Sequence, residues 1–209
     1  VQEAYSGRKF AGADVAAVLA DVTATATAGS DITVGNLSAD TSTDSVTDLA
    51  MTVTASANGT TAGADTSSVS LGNIDNQFGS ITANLSGEHA VDLDTLTAVD
   101  VTIARSGAGA TDIVDIAASG DVSVTLTGSG AIDIGEAGTG DFTVAGGTHT
   151  GAIDIDTDST SNVTITTGSG DDTIVADGAT AAGKTHTITA GAGDDNVTGG
   201  AGVDTINLG

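Results

Sequence analysis

Residues 121–165 read DVSVTLTGSG AIDIGEAGTG DFTVAGGTHT GAIDIDTDST SNVTI. Apolar residues two apart recur through this stretch: Val122/Val124, Ile132/Ile134, Phe142/Val144, Ile153/Ile155 and Val163/Ile165. A period of two marks a strand with one buried face. Gly, Ser, Thr and Asp fill the gaps, so each strand is short and ends in a turn. Short strands at near-constant spacing, with no helices between them, are the signature of a repeat. A β-sandwich also places strands about 8–12 residues apart. Two features favour a solenoid. The strands are uniformly short, and the turns avoid the hairpin dipeptides Asn-Gly and Asp-Gly, save Asn58-Gly59 and Asp177-Gly178. Two strands and two turns then form one coil of about 20 residues. Such a coil stacks into two parallel sheets, face to face, with Thr, Ser and Asp pointing out.

Outward from this core the rhythm continues. Ile174, Ile188, Val197 and Ile206/Leu208 follow it; Val69/Leu71, Val91/Leu93 and Val99/Val101/Ile103 precede it. Ile32/Val34 and Leu49/Met51/Val53 alternate too, but before residue 69 the spacing is irregular. The N-terminal stretch differs. Val15, Val18, Leu19 and Val22 fall on one helical face behind Asp14, which predicts a helix over residues 12–24. Its expected role is to cover an open solenoid end, where unpaired edges are a hazard, or to dock on a neighbour. The expected fold is all-β: a parallel β-solenoid or β-roll with a short N-terminal helix. The expected division is an N-terminal segment (1–30), a solenoid with degenerate repeats (31–166) and a distinct C-terminal roll (167–209).

Composition narrows the function. The net charge is −24, with 28 acidic residues against four Lys and Arg. Nucleic-acid binding is excluded, because phosphate contacts need clustered basic residues. Only Glu3, Glu88 and Glu136 among the acids are Glu. Solubility would accept either acid, whereas short Asp carboxylates suit turns and oxygen-ligated cations. Cysteine is absent, so neither a disulfide nor a thiolate metal site is available. No apolar run reaches membrane-spanning length. The chain opens at Val1 without a signal-peptide pattern, which reads as a processed or partial polypeptide. Tyr5 and three Phe are the only aromatics, which suits a thin core of Ala, Val, Ile and Leu.

Three segments near the C-terminus share a pattern. Residues 199–207 read GGAGVDTIN, residues 190–198 AGAGDDNVT and residues 167–175 TGSGDDTIV. They resemble the RTX nonapeptide, G-G-x-G-x-D-x-U-x with U apolar. The first matches throughout, the others except at the leading glycine, and two are in tandem. The resemblance covers about 40 residues. It implies calcium held between turns stacked one coil apart, by Asp carboxylates and backbone carbonyls. The turns at 167–172 and 190–195 should share an edge. Asp172 and Asp195 would then share an ion with carbonyls of Thr167, Ser169, Gly191 and Gly193. The turn at 199–204, with Gly200, Gly202 and Asp204, should lie on the opposite edge. Its neighbour is 177–183, which contributes Asp177 but no full motif. Upstream, residues 127–132 and 137–142 place Ile132 and Phe142 where the motif has Asp, so they read as turns without tight binding.

Asp154, Asp156 and Asp158 have the opening spacing of an EF-hand loop, but Ser159 and Ile165 stand where it needs Gly and Glu. They read instead as outward, solvated residues. Asp133 should stack on Asp154 at about 4.8 Å, a repulsion of roughly 3 kcal/mol at an effective dielectric near 20. His149 and His186 each sit in Thr-His-Thr and are expected on the outward face. Neither H-E-x-x-H nor G-x-S-x-G occurs, and the chain reads as a non-enzyme. Sequons begin at Asn36, Asn58, Asn84, Asn162 and Asn196, a weak sign of surface location.

The RTX resemblance implies a secreted structural protein that folds on meeting extracellular calcium and assembles with copies of itself, as surface-layer or filament subunits do. Type I secretion is the export route it implies. Cell-surface polysaccharide is a second expected partner. The alternatives are a segment of an RTX adhesin and the RTX tail of a secreted enzyme.

Overall fold

The structure is a computed structural model that describes residues 21–27, 31–34, 50–58, 68–71, 74–87, 91–178 and 183–209. Within them lie sixteen strands and no helix. The predicted helix over 12–24 is corrected where it can be read: Asp21–Thr27 is a strand, β1. Thr23 and Thr25 alternate there with Val22, Ala24 and Ala26, so period-two pairing with a parallel neighbour prevails over the helical spacing. Residues 12–20 lie outside the described residues.

All pairings are parallel, and they sort into two stacks that make a β-solenoid. One stack runs β6–β8–β10–β12–β14–β16, through Val91–Ser106, Val122–Gly128, Phe142–His149, Val163–Thr166, Thr185–Thr189 and Val203–Asn207. The other runs β7–β9–β11–β13–β15, through Thr111–Ile116, Ile132–Glu136, Ile153–Thr157, Thr173–Ala176 and Asn196–Gly199. Strand β6 belongs to both, pairing with β7 through Leu93–Leu96 and with β8 through Val101–Arg105. The ladders cross residue 166 without interruption, since β12 pairs with β14 and β11 with β13.

The core is the inward column of each stack. Val101, Val122, Phe142 and Val163 succeed one another in one sheet; Ile134, Ile155 and Ile174 do so in the other. All of these are buried. Between them, alternate residues face out, as the pleat requires. Phe142 is the largest apolar side chain in this column and is fully buried. Phe142→Ala should cost about 3–5 kcal/mol, read from urea unfolding monitored by circular dichroism.

The turns are held by backbone. Gly128 has φ 103° and stacks on Gly107, also at 103°. A Cβ on Gly128 would lie 2.1 Å from the Gly107 carbonyl oxygen. Rungs are linked at the corners by bonds such as Ser129 N–H to the Gly107 carbonyl at 3.0 Å.

Candidate metal-binding edge

A column of short acids runs up the start of one sheet. Asp100 Oδ1 accepts the Asp121 N–H, Asp121 Oδ1 the Asp141 N–H, and Asp141 Oδ1 the Asn162 N–H, at 3.0, 3.0 and 3.2 Å. Asn162 Oδ1 then accepts the Thr185 N–H at 3.3 Å. These links span 20 to 23 residues, one coil each. An Asp side chain reaches one rung along the stack; Glu overshoots it. Part of the Asp bias is therefore a scaffold device, legible in sequence only as Asp or Asn recurring before alternate strands.

The motif turns at 167–172 and 190–195 lie one coil apart on one edge. Thr173 pairs with Asn196 and Ile174 with Val197. Ala192 N–H donates to the Gly168 carbonyl at 2.9 Å, Thr167 Oγ1 to the Ala190 carbonyl at 2.5 Å, and Asp194 N–H to Asp171 Oδ1 at 2.9 Å. Gly191 has φ 91°, and a Cβ there would lie 2.0 Å from the Gly168 carbonyl oxygen and 3.0 Å from that of Thr167. Gly193 sits likewise over the Gly170 carbonyl. Ser169 donates its N–H to the His149 carbonyl at 3.1 Å.

Asp172 and Asp195 come together here. Asp195 Oδ1 accepts the Asp172 N–H at 3.0 Å, and Asp172 Oδ1 accepts the Ile153 N–H at 2.8 Å. The other oxygen of each, Oδ2, is buried without a hydrogen-bond partner. Burial pushes the Asp172 carboxyl up from its ordinary value, with Asp195 adding to the rise; the Thr167 hydroxyl, the Ile153 amide and His149 oppose it.

Asp204 lies on the other stack, its register partner being His186. Gly200 of that turn approaches Ala176 and Asp177, as a Cβ built on it would meet their backbones at 2.6 and 3.0 Å. Gly202 is exposed, and so is Asp177, whose charge falls near Asp156. Asp204 Oδ1 is buried and lies 3.2 Å from His186 Nδ1, but outside hydrogen-bond geometry.

The expected outward position of both histidines is corrected: each is buried, at 1% exposure. His186 shares the parity of Ile188, whose side chain points in, and it stacks between Val163 and Asp204. For His149 the reason is a bulge. The β10–β8 register shifts between Ala145 and Thr148, which inverts the facing of the strand residues after it. His149 Nε2 lies 2.7 Å from the Gly130 carbonyl oxygen, and its Nδ1 is unpartnered.

Two further buried ionic groups went unforeseen. Glu136 takes the Thr157 hydroxyl on Oε2 at 2.5 Å and the Gly138 N–H on Oε1. Arg105 donates from Nη2 to the Gly109 carbonyl at 2.6 Å and from Nη1 to that of Ser106. Both tie turn backbone from inside. Asp154 stacks on Asp133 in register, with both exposed, as the spacing predicts.

Among the described residues there is no group of three or more His, Cys, Asp or Glu side chains placed for a metal ion. Any cation site at these turns must draw on backbone oxygen, which calcium accepts. At Asp172 and Asp195 two buried carboxylate oxygens lack donors, in turns closely stacked through their backbones. The fold defines the class of protein, a parallel β-solenoid with tightly stacked glycine turns. Comparisons with protein-family models, with curated proteins and with solved structures find no match.

Raised Asp pKa values carry a sign. Asp172 in the folded chain holds its proton to a higher pH than the ordinary 3.8. Asp156 does so too, through desolvation and its neighbours Asp158, Asp177 and Asp154. Both favour the metal-free fold fully below the unfolded value, and that contribution is lost as pH rises through the folded one. Without divalent ions, the β-sheet signal in circular dichroism should therefore grow as pH is lowered from 7 towards 4. A signal that falls steadily over that range would contradict the burial of Asp172.

Proposed function

We propose that the chain is a secreted, calcium-binding structural solenoid of the RTX type, ordered by calcium outside the cell and assembling with copies of itself. One observation carries this reading. Among the described residues, the carboxylate oxygens buried without a hydrogen-bond partner belong to Asp172, Asp195 and Asp204. These are the sixth-position aspartates of the three motif copies. A buried carboxylate without a partner is costly, and its repetition at one motif position points to a common ligand.

Asp172 and Asp195, with carbonyls of Thr167, Ser169, Gly191 and Gly193, would hold the ion on one edge. Asp204, with backbone of Gly200 and Gly202 and with Asp177, would contribute on the other. Bound calcium supplies positive charge to carboxylates that otherwise repel across one rung. The Asp172 N–H fixes the Asp195 carboxylate and the Ile153 N–H fixes that of Asp172, so both are placed before an ion arrives. At a net charge of −24, the chain opposes its own compaction where divalent ions are scarce. That property suits export in an unfolded state and folding outside.

Val203, Ile206 and Leu208 are exposed, at 68%, 42% and 55%, and this apolar surface supports self-association. Electron microscopy of the purified protein in millimolar calcium should show fibres or lattices. Monodisperse particles at high concentration would count against assembly and favour an adhesin segment or the tail of a secreted enzyme.

A further inference from the structure

The outward face of the β6–β16 stack carries no charge along its middle. Thr102, Ser123, Thr143, Thr164, Thr187 and Thr205 follow one another in register, one to a rung, and all are exposed. Two residues further along each strand a second column runs from Ala104 to Asn207, again without an acid or a base. Parallel pairing holds these side chains about 4.8 Å apart from rung to rung.

The hydroxyls of this ladder are unengaged. At the corners, hydroxyls bond a neighbouring rung: Thr127 donates to the Arg105 carbonyl at 3.2 Å, Thr139 to that of Ser119 at 3.1 Å and Thr150 to that of Gly128 at 3.2 Å. The ladder hydroxyls make no such bond among the described residues.

Much of the remaining surface is acidic. Asp133, Asp154 and Asp156 are exposed on the outward face of the other stack. Asp100, Asp121 and Asp141 border the ladder on its first rungs, each accepting an N–H from the next rung. On the later rungs that border is Asn162, Thr185 and Val203, which carry no charge. Val203 is 68% exposed there. Two copies at a net charge of −24 each repel across most of their surface. Along the ladder they can meet without apposed carboxylates, most fully on the rungs of Thr164, Thr187 and Thr205.

We propose that this neutral ladder is the face on which two copies of the chain pair side by side, each presenting the same strip to the other. The inference rests on the self-assembling reading and gives it a lateral contact. A two-fold pairing uses one patch twice, so an uncharged strip meets an uncharged strip. Thr methyls then pack between the sheets, and the free hydroxyls, each both donor and acceptor, bond across. Rungs about 4.8 Å apart and strands rising about 3.3 Å per residue give a face of roughly 29 by 16 Å. Pairing two such faces buries roughly 900 Å² in total, below the 1,200 Å² or so at which stable complexes begin. The contact is therefore reversible between single copies and firm only when repeated along a polymer.

The test is sedimentation of the full chain in millimolar calcium at rising concentration. The parent chain should sediment faster as concentration rises. Thr164→Glu and Thr187→Glu should each weaken association about tenfold or more, since like charges would then face each other, with circular dichroism unchanged. Ala137→Glu adds the same charge at an exposed site just past β9 and should leave association unaltered. The proposal is overturned if the ladder variants associate like the parent, or if Ala137→Glu weakens association as much as they do. Fibres that persist in Thr187→Glu but vanish in Leu208→Asp sink this face and leave the self-assembling reading standing. A parent chain that stays monomeric sinks both. Parent protein held on an insoluble neutral glucan and released by Thr187→Glu, with self-association unchanged, would give the face to a polysaccharide instead.

Discussion

Replacing Asp172 and Asp195 together by asparagine should reverse the effect of calcium on their relative stability, not merely weaken binding. Asparagine keeps Oδ1, so the bonds from the Ile153 and Asp172 amides at 2.8 and 3.0 Å can persist. It removes two negative charges whose Oδ2 atoms are buried and unpartnered. Without divalent ions the variant should therefore be more stable than the parent, by about 1–3 kcal/mol. In millimolar calcium it should be the less stable of the two. Its calcium affinity should fall about a hundredfold or more, since ligand charge sets affinity in oxygen sites. The fraction of β-sheet seen by circular dichroism in EDTA measures the first arm, and urea unfolding in millimolar calcium the second. Equal destabilisation in both conditions would mean that the carboxylates serve the fold and not an ion.

Gly128→Ala should be among the most damaging single substitutions in the middle of the stack. The residue needs φ 103°, which side chains rarely adopt. The added Cβ would also fall 2.1 Å from the Gly107 carbonyl oxygen, which is backbone and cannot swing aside. Strain and steric overlap together should cost about 4 kcal/mol or more, at the upper end for point changes. Ser129→Ala, beside it and exposed, should stay within about 0.5 kcal/mol. Thermal unfolding in calcium compares the two. Equal midpoints would show that the turns do not stack as closely as described.

The sheets were legible because alternation and spacing are local. Val122, Phe142 and Val163 face inward on successive rungs of one stack, as their period-two pattern requires. The stacking of Asp154 on Asp133 followed from the same spacing. The helix reading weighed Val15, Val18, Leu19 and Val22 as one face, yet Val22 lies in a strand paired through Val53. Period alone cannot arbitrate when small and β-branched residues suit either state.

The histidines show two different limits. His186 has the parity of Ile188, so alternation applied strictly would have placed it inside. His149 was hidden by the bulge after Ala145; Gly146-Gly147 inside the strand was its signal, and alternation was carried across it unbroken. The proximity of Asp172 to Asp195 was legible because motif spacing and coil length agree. The amides that fix their inner oxygens were not, for a backbone donor leaves no trace in residue identity. The column from Asp100 to Asn162 was missed for a related reason. Its signal is a recurrence at coil spacing in a chain where Asp is common everywhere.

Circular dichroism of the purified chain, first in excess EDTA and then in millimolar calcium, bears most directly on the calcium-ordered solenoid. A chain ordered by calcium should give a disordered spectrum in chelator and a β-sheet spectrum once calcium is restored. An identical β-sheet spectrum in both, with no calcium bound at Asp172 or Asp195, would contradict it.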